Sequence, residues 1–290
     1  MEIQNPGTVW LIEAANSGHQ FAEEEVAYAY LHGENGLEKN IEKAKHWLQL
    51  GVERGGENSI FNMANLLRDA ARTPEDESNV NDWLLRSTRA GFPHSKVELA
   101  ARLAEGRGAP SNTTLQQEYL RELEAEKFTT TDYVLGVGPD WGLDEILKER
   151  SVTIEEMPEF LFAVAMFVDA ALHSGKVDLI FIPGRNHTSQ PAIVGLTQKV
   201  IVTSAHLGYG PAQLALAYTY PTINDSLDNK NLGEYWKNRA ASNETFKNGE
   251  KMSARTLEYL DFLVAEYNKT YPGVNFDFAL NFLNTMELIE

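Results

Sequence analysis

A chain of 290 residues, 43% of them hydrophobic, has enough apolar side chain for a sizeable core. Its formal charge of -17 argues against nucleic acid or an anionic membrane as a partner, since both are met through lysine and arginine. A protein with a basic surface is the complementary expectation, and solubility is the plainer reading of the same acidity. The absence of cysteine excludes disulfides, thiolate metal sites and a cysteine nucleophile. With no 18-residue apolar run and no basic-then-apolar leader over Met1 to Thr8, the expectation is a cytoplasmic protein without membrane insertion.

In chain order, Thr8 to Ser17 reads as a helix carrying Trp10, Ala14 and Ala15, and Gly18 stops it, because glycine takes the left-handed cap conformation at no steric cost. Ala22, Val26, Ala27 and Tyr30 mark the next helix at i, i+4, i+5 and i+8. Gly33 to Lys39 reads as a loop. Asn40 to Arg54 reads as a helix with an apolar stripe of Ile41, Ala44, Trp47, Leu48 and Val52, anchored by Trp47 and followed by Gly55.

The plan then recurs. Gly55, Ser59, Met63-Ala64 and Leu67 repeat Gly18, Ala22, Val26-Ala27 and Tyr30; a polar loop over Thr73 to Asn79 follows, then a helix from Trp83 to Ala90 and Gly91. Gly91, Ser95, Leu99-Ala100 and Leu103 open a third unit, in which Tyr119 replaces the expected tryptophan. Trp10 to Gly18, Trp47 to Gly55 and Trp83 to Gly91 each span eight positions, and the tryptophans lie 37 and 36 residues apart. A period of this size with small residues at fixed offsets signals stacked helix pairs, none able to bury its apolar face alone.

From Thr129 to Ser151 the pattern weakens, with Gly136, Gly138 and Pro139 reading as a turn. Met157 to Ser174 is a strongly apolar helix ended by Gly175, and Val177 to Ile182 reads as a short strand or extended segment. Pro191 begins another helix, after which Gly208, Ala212, Leu216-Ala217 and Tyr220 restore the first set of offsets, and Trp236 with Ala240-Ala241 matches Trp10 with Ala14-Ala15. Gly91 to Gly208 is 117 residues, or three periods of 39, which predicts a repeat running on through the middle. Two helices, about Ser253 to Asn268 and Phe276 to Leu288, read as a cap over the last open apolar face.

The run from Ala22 through Val26-Ala27, Tyr30, Gly33, Gly36-Leu37, Ala44 and Trp47 to Gly55 resembles the Sel1-like repeat, a relative of the tetratricopeptide repeat. The loop has Gly-x2-Gly where that family more often shows Gly-x-Gly. The resemblance implies an all-α, right-handed superhelical solenoid of antiparallel helix pairs that holds partner proteins and is non-catalytic. It divides the chain into N-terminal repeats over 1–127, a degenerate or irregular segment over 128–190, a C-terminal repeat over 191–250 and capping helices over 251–290.

Catalytic signatures are absent. The 7 histidines are scattered singly, none in a His-x3-His pair, so neither a metal nor a cofactor is expected. His19, beside Gly18, matches a position where the family often has histidine. The loop Gly184 to Ser189 offers Arg185 and His187 to a carboxylate or phosphate, but its serine lacks a nucleophile elbow, and Gly136-x-Gly138 lacks the third glycine of a dinucleotide site. Acidic runs such as Glu23 to Glu25, and Asp140 with Asp144-Glu145, serve a binding surface better than a paired-carboxylate hydrolase. The expected partner contacts are therefore Glu23, Glu24, Asp140, Trp141, Arg185 and His187, while Trp10, Gly18, Ala22, Tyr30, Trp47, Gly55, Trp83, Gly91, Gly208, Ala212, Tyr220 and Trp236 form the packing signature.

The functional expectation is a non-catalytic binding solenoid, in its sharpest form a bacterial immunity protein that covers a toxin's active site. The alternatives are an adaptor in bacterial signalling and an enzyme with a site in 128–190.

Overall fold

Small residues four positions before and four after each turn glycine let two helices cross closely. Ala14 packs against the layer that holds Ala22, Gly51 meets Ser59, the Ser87 and Ser95 hydroxyls meet at 2.8 Å, and Ser204 and Ala212 stand at the same offsets. Ser59, Ser87, Ser95, Ser204 and Ala212 are all buried. The turns share one geometry: Gly18, Gly55, Gly91 and Gly208 have φ of 86°, 83°, 92° and 89°. The next residue's amide reaches back to the carbonyl of the small residue, from His19 to Ala14 at 3.0 Å, Gly56 to Gly51 at 2.8 Å, and Phe92 to Ser87 and Tyr209 to Ser204 at 3.2 Å. This six-to-one bond satisfies a carbonyl that the helix end would otherwise orphan.

The computed structural model describes residues 5–130, 132–133, 147–173, 190–223, 227–247 and 251–270. They form helices α1 (Pro6–Asn16), α2 (Gln20–His32), α3 (Ile41–Glu53), α4 (Glu57–Ala70), α5 (Pro74–Arg89), α6 (Pro93–Glu105), α7 (Thr113–Ala125), α8 (Met157–His173), α9 (Gln190–His206), α10 (Gly210–Ile223), α11 (Leu227–Ser242), the short α12 (Glu244–Lys247) and α13 (Ala254–Thr270). Among the described residues there is no strand, and the architecture is an all-α solenoid of antiparallel pairs. The segment Val177 to Ile182 and the helix expected over Phe276 to Leu288 lie outside the described residues.

The chain divides into two compact units, Met1–Leu99 and Ala100–Glu290. In the first, each helix from α1 to α5 packs on the next. Its core has two layers: Ala15, Ala22 and Val26 between the first helices, then Ala27, Ala44, Leu48, Met63 and Leu66 between the following ones. Tyr30 and Trp47 touch both layers, which explains why the repeat carries a large aromatic at these two places. Trp83 packs on the second layer.

In the second unit, α8 packs on α9, α9 on α10, and α10 on α11. Trp236 of α11 is buried, with the His206 ring edge-on at 5.1 Å and the Arg239 guanidinium 4.5 Å from its ring centre.

Four expectations are corrected. Thr73 to Asn79 is not a loop but the start of α5: Pro74 takes the first helical position, and Thr73 and Asp76 form a reciprocal capping box. The three acids that read as loop polarity lie in the helix's first turn, where the macrodipole favours them.

The turns between Gly91 and Gly208 are not spaced by 39. Lys127 and Ser151 take left-handed conformations at φ 57° and 49°, and the amides of Phe128 and Val152 reach back to Leu123 and Leu147 at 2.9 and 3.0 Å. Among the described residues the turn geometry therefore persists without its glycine, at Lys127 and Ser151.

The third correction concerns the cap. α13 lies against α8 instead of the last repeated pair. Tyr259 stacks on Phe160 at 4.7 Å, and the Arg150 guanidinium covers Tyr259 and Phe262 at 4.7 and 4.6 Å. Finally, Trp10 is 71% exposed although its counterparts Trp47, Trp83 and Trp236 pack. Trp47 rests on the layer of Ala15, Ala22 and Val26 from the preceding helix pair.

Candidate protein-binding surface

Helix α2 brings Glu23, Glu24 and Glu25 to adjacent faces, and their fates differ because a helix turns 100° per residue. Glu23 is fully buried and ion-paired with Arg54, which follows α3. It thus ties one repeat turn to the next and does not face a partner, correcting the expectation drawn from its charge. Arg54 keeps 43% of its side chain exposed, so the pair is anchored at its acidic end. Glu24 is half-buried: its carboxylate accepts from Ser59 Oγ at 3.4 Å and Gln20 Nε2 at 3.5 Å. Of the remaining expected contacts, Asp140, Trp141, Arg185 and His187 lie outside the described residues.

Aromatic side chains also lie on the surface. Trp10, Phe21, Tyr28 and Tyr218 are all more than half exposed. The Tyr28 ring lies 4.2 Å from His32, one turn along the same face of α2. Tyr28 and Tyr218 each stand ten residues after a turn glycine, Gly18 and Gly208, and their recurrence at one offset was a signal available in the sequence.

The second unit also holds a buried polar hub. Glu105, at the end of α6, is 3.3 Å from both Arg107 and Arg239, and Gln213 donates to it. Arg239 donates to the Ala205 carbonyl at 2.9 Å, Arg107 to the His206 carbonyl at 2.7 Å, and Asn243 to the Gly208 carbonyl at 2.8 Å. Sealed from solvent, these groups hold α6, α9, α10 and α11 together and present nothing to a substrate.

Two carboxylates have lowered proton affinity for structural reasons. Burial would raise Glu156, but the Thr153 amide and the bidentate Arg255 outweigh it and hold the carboxyl below its ordinary value. Asp76 is lowered by the backbone amide of Arg72 and by Thr73, the capping contacts of α5. Each is held by a helix-start threonine and an arginine, Thr153 with Arg255 and Thr73 with Arg72. Among the described residues no cluster of three His, Cys, Asp or Glu is placed to hold a metal, and no helix is long and apolar enough to cross a membrane.

No protein-family model and no curated protein matches the chain. Among solved structures it is similar to a Sel1 repeat protein from Oxalobacter formigenes, at 27% identity and a TM-score of 0.35 over 41% of this chain and 88% of that one. It is also similar to c5321, a protective antigen of uropathogenic Escherichia coli strains displaying an SLR fold, at 17% identity and a TM-score of 0.39 over 96% of this chain and 63% of that one.

Proposed function

We propose that this chain of Sel1-like helix pairs is a non-catalytic protein-binding module whose partner presents a basic surface, and that it serves as a bacterial immunity protein covering the active surface of a cognate toxin. The observation that carries the reading is an acidic chain, at -17, whose packing signature, Trp10 excepted, is used between its own helices and leaves acids and aromatics outside. Such a surface attracts a basic partner at a distance and grips it through aromatic anchors at contact. A toxin whose active site binds phosphate or nucleic acid is itself basic there, and an acidic module can occupy it by mimicry of charge.

The test is co-purification of the full chain with the product of the neighbouring gene at low and high salt. A complex that forms at low salt and weakens as ionic strength rises supports the reading. Failure to form at low salt overturns it.

A further inference from the structure

We infer that the exposed outer face of the first helix pair, formed by Trp10 of α1 with Phe21 and Tyr28 of α2, is a docking site for a basic amphipathic helix of a partner protein. The inference rests on the protein-binding reading and places the partner. Trp10, Phe21 and Tyr28 are 71%, 63% and 51% exposed, with Val9 beside them at 39%. Trp10 stands eight residues before Gly18 and Tyr28 ten after it, so in antiparallel helices they lie at matching heights above the turn.

Later repeats cover part of this face, although Tyr218, at the Tyr28 offset, stays exposed. Trp47, the counterpart of Trp10, packs against the Ala15, Ala22 and Val26 layer of the pair before it. His94, three residues after Gly91 as Phe21 is after Gly18, lies 6.2 Å from the Phe61 ring of α4. Glu98, the counterpart of Glu25, accepts from Arg68 of α4 at 3.1 Å. In the first pair the same face is open, and it continues the stacking interface already formed inside the unit. What fills each such interface within the chain is a helix.

The charge selects the helix. Glu13 and Glu25 adjoin the aromatics in the helical register, while Glu24 is turned to Ser59, and no lysine or arginine occurs before Lys39. A second copy docked face to face would set these carboxylates against their own images, whereas a lysine-bearing helix neutralises them. The chain supplies its own precedent: Lys43 of α3 lies over the Tyr30 ring of α2 at 5.0 Å.

The experiment titrates the full chain with a synthetic helical peptide of ~18 residues carrying a leucine stripe and a lysine face, and with the same stripe bearing glutamates. The lysine peptide should bind at least about tenfold more tightly than the glutamate one and lose about tenfold on Trp10→Ala or Phe21→Ala, more on Trp10→Lys, and again on raising salt. Tyr218→Ala, an exposed tyrosine at the Tyr28 offset in the other unit, should leave binding unchanged. Circular dichroism of each variant confirms that the helices remain, as substitutions at such exposed positions allow. The inference is overturned if the lysine peptide is refused, or binds Trp10→Ala as well as the parent. Self-association abolished by Trp10→Lys overturns it too, by naming a second copy as the occupant. A partner complex that survives Trp10→Lys removes this face while leaving the protein-binding reading intact.

Discussion

Gly51 has no room for a methyl group, since a Cβ there would overlap the Ser59 hydroxyl of α4. Gly51→Ala should therefore destabilise the chain by about 2 kcal/mol even though alanine is the better helix former. Adding Ser59→Ala should recover only part of that loss, because the Cβ of residue 59 would still stand 2.9 Å from the new methyl. Urea unfolding of the three variants checks this, and a neutral Gly51→Ala would contradict the close crossing. Lys127 poses the reverse case. At φ 57° it holds a conformation that an L side chain adopts only at a cost, so Lys127→Gly should stabilise by about 1 kcal/mol in the same assay. A reading keyed to glycine finds Gly18, Gly55, Gly91 and Gly208 and misses Lys127 and Ser151, because those turns are dictated by the packing on either side. Glu23 follows the same logic: its charge is visible in the sequence, but its burial is set by Arg54, which lies beyond the next helix.

At the scale of elements, α13 is fastened to the start of α8 by polar contacts as much as by rings. Arg255 binds both oxygens of Glu156 at 2.9 and 2.7 Å and donates to the Ser151 carbonyl at 3.1 Å, while Glu159 accepts from the Ser253 amide at 2.8 Å and its hydroxyl at 2.6 Å. The folded Glu156 pKa lies below its unfolded value, so its contribution is present above the ordinary 4.5 and is lost as pH falls through the lower folded value. Amide exchange in α13 should accelerate over that acid range, and Glu156→Gln should remove the pH dependence while leaving α13 less protected throughout. Tyr259 works in the opposite direction. Burial, opposed by Arg150, raises its hydroxyl from 10.0 to about 12, so its contribution is intact below 10 and disappears as pH climbs towards 12. Tyr259→Phe should flatten that alkaline loss of stability, measured as the urea midpoint against pH. The helix itself was legible from its apolar spacing. Its docking partner was not, since Arg150, Glu156 and Glu159 lie roughly a hundred residues earlier and no local period points to them.

For the molecule as a whole, the period revealed the architecture while obscuring one set of neighbours. Counting 117 residues from Gly91 to Gly208 as three repeats implies that the flanking helices are separated by the intervening pairs, yet Glu105 touches Arg239 across 134 residues and Arg107 bonds to His206 across 99. Offsets record which positions repeat, not which pairs meet, and a buried charge finds its complement wherever the chain returns. The hub is thus the tertiary joint of the second unit. Arg239→Met should cost about 3 to 5 kcal/mol, because it removes one of the two cations beside the buried Glu105 carboxylate and leaves the Ala205 carbonyl without that donor. The loss should appear as faster amide exchange through α9, α10 and α11 and a lower thermal midpoint, with α2 to α4 less affected. Glu105→Gln combined with Arg239→Met should lose less than the sum of the single losses, since the second change discharges what the first exposes. A loss below about 1 kcal/mol for Arg239→Met would show that Arg107 and Gln213 satisfy Glu105 alone, and that the joint depends on apolar packing around Trp236.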